Sequence, residues 1–190
     1  MGKILCYIYE DMADFEISVL LHRLRNMGGK EICSISETLD PVTAQSGLIY
    51  MPERTISDIT SLDMVEALII PGGPINNQQN SICPLARAIV DEGKLLAAIC
   101  FAPQFAGRAG ILAQYHYTTS CSEEKIRQLG CEDPFDRGNY VEKRVVVDRN
   151  LITAQGYAFV DFAVEVCRYL NILKKKEQEY EWFGRIKEIG

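Results

Sequence analysis

Cys100 closes an apolar run, Leu95-Leu96-Ala97-Ala98-Ile99, and passes directly into Ala102-Pro103-Gln104-Phe105, which reads as the start of a helix. An apolar run without polar alternation suits a strand covered on both faces. A thiol where such a strand ends lies at the sheet rim, beside helix amides whose partial positive charge favours thiolate. Two further features reach that rim: Glu16, just after the first apolar strand, and Gly72-Gly73, just after the third. Ligands of open parallel sheets collect outside the carboxyl ends of the strands. A thiol at such a rim, with a carboxyl group and a glycine turn beside it, stands where a bound ligand could meet it. Each has a plainer reading as well: a packed core thiol, a solvated first-turn acid and a tight turn. The elbow position favours a reactive Cys100, while Glu16 stays open between the two readings.

The elements that must position these residues alternate. Residues 3–9 read as a strand, 10–29 as a helix ending at Gly28-Gly29, and 31–36 as a second strand. Phe15, Val19, Leu20, Leu24 and Met27 recur at helical spacing. Residues 42–59 read as a β-excursion before a short helix near Leu62. Strand 67–73, helix 82–94, strand 95–100 and helix 102–110 follow, then a short strand at 115–120 and a helix at 122–130 capped by Ser122. A hairpin turns at Asp148-Arg149-Asn150, and helix 158–173 comes next. The alternation predicts an α/β fold: a mostly parallel sheet with right-handed crossovers and helices on both faces. The chain is expected to be one domain over 1–190. A C-terminal helical extension is expected from about 174, with Phe183 and Ile186 on one side and Trp182 and Phe183 covering core or a dimer partner.

Composition bounds the function. With 190 residues, 47% hydrophobic and 24% charged, the chain has ordinary globular character. Its net charge of -6 is spread out, and Lys174-Lys175-Lys176 is the one basic run, so nucleic-acid binding is not expected. No apolar run approaches the roughly 20 residues of a membrane span. Seven cysteines form no CxxC pair and match neither a zinc site nor a disulfide framework. Free thiols and no leader-like start lead to a cytoplasmic expectation.

Four stretches together carry a resemblance: Asp14-Phe15-Glu16, LIIPGGP at 68–74, AAIC at 97–100 with Ala102-Pro103 behind it, and NLITAQG at 150–156. The chain resembles the DJ-1/PfpI (ThiJ) family of the class I glutamine amidotransferase-like superfamily, over residues 3 to about 173. The resemblance implies a flavodoxin-like three-layer sandwich, a homodimer, a reactive cysteine at Cys100 and a glutamate near its sulfur at Glu16. It implies an oxyanion pocket from the amides of Gly73 and Phe101, beside Gly72. Tyr157 stands where relatives carry proline; it either narrows the pocket or packs in the core, with packing favoured. Ser120 lines the site or serves capping and packing, with the latter favoured.

The sequence also departs from the family. PfpI-like proteases carry histidine where Phe101 stands, and DJ-1-like members carry it where Thr118-Thr119 is followed by Ser120. Neither His22 nor His116 substitutes: His116 would lie about 13 Å down a strand from Ser120, and His22 about 9 Å along a helix from Glu16. Peptidase chemistry is therefore not expected. The leading expectation is action on a small electrophilic carbonyl, glyoxalase- or deglycase-like, without metal or organic cofactor. The alternatives are a non-catalytic redox or stress-responsive dimer in which Cys100 oxidises to sulfinate, and an amidotransferase-like domain that binds a partner.

Overall fold

The computed structural model describes residues 2–75, 81–184 and 186. The chain begins β1 (Lys3–Tyr7), α1 (Phe15–Asn26), β2 (Glu31–Ser36). An excursion holds β3 (Val42–Thr43), β4 (Ile49–Tyr50) and β5 (Arg54–Thr55). Then come β6 (Val65–Ile70), α2 (Ile82–Asp91), β7 (Leu95–Ile99) and α3 (Pro103–Arg108). Next are α4 (Glu123–Leu129), the hairpin β8 (Val145–Asp148) and β9 (Leu151–Ala154), α5 (Phe159–Tyr169) and α6 (Lys176–Glu179).

Seven strands form one sheet in the order β5-β2-β1-β6-β7-β9-β8, parallel except for β8 against β9. α1 packs on α5, and α2 packs on α3. Helices flank the sheet as the alternation predicts, giving the flavodoxin-like α/β sandwich. β7 is buried at every position, and Ile4, Leu5, Ala67, Leu68 and Ile69 are fully buried beside it. Both faces of these strands are covered, which is why their sequences show no polar alternation. The order reverses at β1: β2 lies on one side of it and β6, β7 and β9 on the other. That switch point opens a crevice at the carboxyl ends of β1 and β6.

Several expectations are corrected. Strand 3–9 ends at Tyr7, and the first helix starts at Phe15 rather than at residue 10. Asp11 adopts a left-handed φ of 58°, Gln45 N–H donates to the Met12 carbonyl and Ala13 N–H to the Gly72 carbonyl. These ties draw the backbone out of helix. Within α1, Ile17, Leu20 and Leu24 face the core, whereas Phe15 and, at the C-cap, Met27 are exposed; the Phe15 ring meets Phe159 edge-on at 5.7 Å. No helix forms near Leu62. A single 3-10 turn at Ile56–Asp58 precedes it, fixed by a reciprocal Thr55/Asp58 cap.

Residues 115–120 are not a strand; Tyr117 makes one isolated bridge to Tyr140. Side chains take its ladder partners: Thr118 N–H donates to Thr153 Oγ1, and His116 N–H to Asp148 Oδ2. Ser122 does cap α4, accepting from Lys125 N–H at 3.1 Å. The C-terminal helix is short and gives way to a π turn at Tyr180–Gly184. Phe183 is buried and Ile186 exposed, so they do not share a face. Residues 185 and 187–190 of that stretch lie outside the described residues. Arg23 fastens the segment, donating to the Trp182 carbonyl at 2.7 Å with its guanidinium 5.6 Å from the Phe183 ring centre.

Candidate active site

β7 delivers Cys100 to the sheet rim one residue past Ile99, in the left-handed region at φ 63°. A non-glycine residue there costs on the order of 1–3 kcal/mol and persists only where its surroundings hold it. They do so on both sides. Cys100 N–H donates to the Ala154 carbonyl at 2.8 Å, and its own carbonyl accepts from Ser120 N–H at 3.0 Å and Thr119 Oγ1 at 2.6 Å. The left-handed turn aims the sulfur out of the sheet, into the crevice between β1, β6 and β9.

There the sulfur meets the Glu16 carboxyl group, the Ser120 hydroxyl and the Phe101 N–H. Glu16 comes from the first turn of α1 and is 2% exposed. Its Oε2 accepts from Gly72 N–H at 2.7 Å. The solvated-acid reading of Glu16 is therefore overturned. The amide of Gly72, the residue beside the expected oxyanion pocket, is directed to this carboxylate. Gly73 lies against Tyr9, whose hydroxyl donates to the Pro71 carbonyl at 2.9 Å; a Cβ on Gly73 would come within 2.6 Å of the Tyr9 hydroxyl oxygen.

Glycines wall the pair on two sides. A Cβ at Gly72 would lie 2.6 Å from both Cys100 Cβ and Glu16 Oε2. One at Gly156 would lie 2.8 Å from Glu16 Oε1 and 3.0 Å from the sulfur. Gly156 N–H donates to Ser120 Oγ at 2.8 Å, which fixes the hydroxyl facing the sulfur. Ser120 thus belongs to the site, contrary to the packing reading. Gly156, Thr119 and Tyr9 were missed; the glycine of NLITAQG was the available signal for the first.

Burial pushes the Cys100 thiol up to about 12, reinforced by the Glu16 charge and by the bond to that carboxylate; Ser120 and the Phe101 amide oppose this. The helix start does not win. α3 has only six residues, so its end charge is small against burial. Burial also raises the Glu16 carboxyl, opposed by the Gly72 amide and Cys100. Burial thus disfavours the charged form of both groups, and the thiol keeps its proton at neutral pH.

Both histidines stay outside. His22 is exposed, and His116 lies at the surface with Nδ1 3.4 Å from Asp148. Tyr157 is 65% exposed, which overturns its packing reading, and Arg144 stacks over its ring at 5.0 Å while pairing with Asp161. Tyr157 and Ser120 border a groove of about 900 Å³ that runs past Gln155, Tyr140 and Arg137. Among the described residues no group of three His, Cys, Asp or Glu side chains could hold a metal ion. All seven cysteines are free, and no described helix is long and apolar enough to cross a membrane.

The family model for the DJ-1/PfpI family matches residues 2–169. "Uncharacterized protease YoaZ" of Bacillus subtilis is 26% identical over 181 residues, covering 90% of this chain and 84% of that protein. "Deglycase PfpI" of Pyrococcus furiosus is 27% identical over 157 residues, covering 80% and 89%. The crystal structure of the DJ-1 superfamily protein Atu0886 from Agrobacterium tumefaciens superposes with a TM-score of 0.82 at 28% identity, covering 96% of each chain. A match spanning the sheet, the Cys100 elbow and the Glu16 helix together establishes that the chain belongs to the DJ-1/PfpI family.

Proposed function

We propose that the chain acts on small electrophilic carbonyls, such as a 2-oxoaldehyde or its adduct, with Cys100 as nucleophile and Glu16 as proton carrier. The observation that carries this reading is a sulfur at a left-handed elbow, packed beside a buried carboxyl group with only glycine between them. Glu16 takes the thiol proton as sulfur bonds to the aldehyde carbon, and returns it to the carbonyl oxygen, giving a hemithioacetal. Transfer of the hydrogen on that carbon to the neighbouring carbonyl carbon, with proton return through Glu16, gives a thioester of a 2-hydroxy acid. Water then releases the acid and restores the thiol. Ser120 and the Phe101 amide, both on the sulfur, offset its developing charge at the start. That several similar proteins are named deglycases supports the reading.

The test is conversion of glyoxal by purified protein. Turnover is expected to vanish in Cys100→Ser and to fall by about 100-fold or more in Glu16→Gln, the usual scale for losing a positioned acid–base group. Glyoxal loss that Cys100→Ser leaves intact overturns it. A second reading draws support from the placement of both histidines away from the sulfur. There, peroxide oxidises Cys100 to sulfinate, two peroxides becoming two waters, and Glu16 bonds the product. A peroxide-dependent mass gain confined to Cys100, without glyoxal turnover, would select it. A second copy of the chain as partner and a reducing cytoplasm for its free thiols complete the proposal.

A further inference from the structure

Asp14 occupies the N-cap position of α1, yet its side chain makes no capping bond. It is 8% exposed and turns toward the β3–β4 hairpin. There its Oδ2 accepts from Ser46 Oγ at 2.6 Å and from Tyr50 Oη at 2.9 Å. Burial pushes the Asp14 carboxyl up, but these hydroxyls outweigh it and hold the group below its usual range. The carboxylate is therefore ionised, buried and devoted to a hairpin that is not part of the main sheet.

The hairpin and the segment before α1 are joined by a continuous set of bonds. Asp11 N–H donates to the Thr43 carbonyl at 2.8 Å, Gln45 N–H to the Met12 carbonyl at 2.9 Å and Thr43 N–H to Glu10 Oε2 at 2.9 Å. Ala13 N–H then reaches the Gly72 carbonyl at 2.8 Å, and the Gly72 N–H holds Glu16. Asp14 lies between the last two links. Its side-chain bonds run to the hairpin, and it stands at the start of the helix turn from which Glu16 projects.

We infer that Asp14 is a positioning residue that clamps the first turn of α1 to the β3–β4 hairpin through Ser46 and Tyr50, and so holds the Glu16 carboxylate against the Cys100 sulfur. This deepens the proposed site and rests on the Cys100–Glu16 pair, but not on the identity of the carbonyl substrate. The titratable groups facing the pair are its own two members and the Tyr9 phenol; Tyr50 and, through it, Cys6 face Asp14.

The readout is the pH dependence of Cys100 alkylation by iodoacetamide, followed by peptide mass spectrometry, with circular dichroism to verify the fold. Glu16 raises the thiol, so Glu16→Gln is expected to move the profile down in pH and speed alkylation near pH 8. Asp14→Ala is expected to act in the same direction by at least about twofold, the lower end of coupling within one hydrogen-bond network. Asp14→Asn keeps an amide oxygen for Ser46 and Tyr50 and is expected to recover most of the wild-type profile. In a Glu16→Gln background, Asp14→Ala should add nothing. Should Asp14→Ala not fold, Ser46→Ala and Tyr50→Phe each remove one donor and carry the same expectation. A wild-type profile that ignores Glu16→Gln overturns the pair itself. A profile that answers to Glu16→Gln but not to Asp14→Ala, or an Asp14 effect that persists without Glu16, overturns the positioning role alone.

Discussion

Cys100, Glu16 and the two glycines around them work as one packed unit in which a single added methyl is too large. Gly156 shows this most directly, since its Cβ would press on the Glu16 oxygen and the sulfur together. Gly156→Ala is expected to destabilise the protein by about 1–3 kcal/mol, as overpacking does, seen as a lower urea midpoint. It should also cut Cys100-dependent turnover on the order of 100-fold, because an ångström of misplacement at a reacting centre has that effect. Val at position 156 should be worse than Ala in both measurements. Ser120 does not stand in for a histidine: its hydroxyl, held by the Gly156 N–H, is no base at neutral pH, so the proposed mechanism assigns proton transfer to Glu16.

The elements divide the work between the two edges of the sheet. The carboxyl ends of β1, β6 and β7 present Glu16, Gly72 and Cys100, where groups are crowded and strained. At the opposite edge, Asn150 before β9 acts as a clasp. Its amide donates to the Val90 carbonyl at 3.0 Å and the Lys94 carbonyl at 2.8 Å, while its oxygen accepts from Tyr115 Oη at 3.0 Å. Asn150→Ala would take their partner from the Lys94 carbonyl and the Tyr115 hydroxyl, while the Val90 carbonyl keeps the Gly93 N–H at 3.0 Å. A loss of about 2–4 kcal/mol in chemical denaturation is expected from buried partners left unsatisfied, with Cys100 alkylation unchanged in the folded protein. The alternation of β and α was readable because buried parallel strands and amphipathic helices leave different local patterns. Residues 115–120 misled because Thr118 pairs with a side chain on β9, a tie that no local pattern encodes.

At the scale of the whole molecule, burial of thiols links stability to alkaline pH. Burial pushes Cys6, Cys100 and Cys167 up to about 12 and Cys121 to about 11, from an ordinary 9.0. A group whose folded pKa is raised favours the folded state fully below its unfolded pKa, and that contribution is lost as pH rises toward the folded one. Stability is therefore expected to hold up to about pH 9 and to fall between 9 and 12, each thiol adding up to about 1.4 kcal/mol per pH unit within its window. Urea denaturation across that range measures the slope. Cys167→Ala should lower stability at pH 7 by opening a cavity, yet flatten the alkaline decline, because one ionisation is removed from the unfolded chain. An unchanged slope would show that the Cys167 thiol does not contribute.

The sequence by itself determined the alternating α/β fold, the strand-end placement of Cys100 and the rim position of Glu16 and Gly72-Gly73. Those features rest on local apolar periodicity and on where a strand must turn into a helix. Tertiary structure decided what the residues do to each other. Glu16 and Gly72 are 56 residues apart, and Ser120 and Gly156 are 36 apart. These contacts replace a solvated acid by a buried carboxyl group beside the sulfur and hold Ser120 at the site, while bonds from Ser46 and Tyr50 join Asp14 to the hairpin. They also set the resting charge of Cys100: a six-residue helix start favours thiolate, but burial beside a carboxylate favours thiol, and desolvation together with a neighbouring charge is the larger effect.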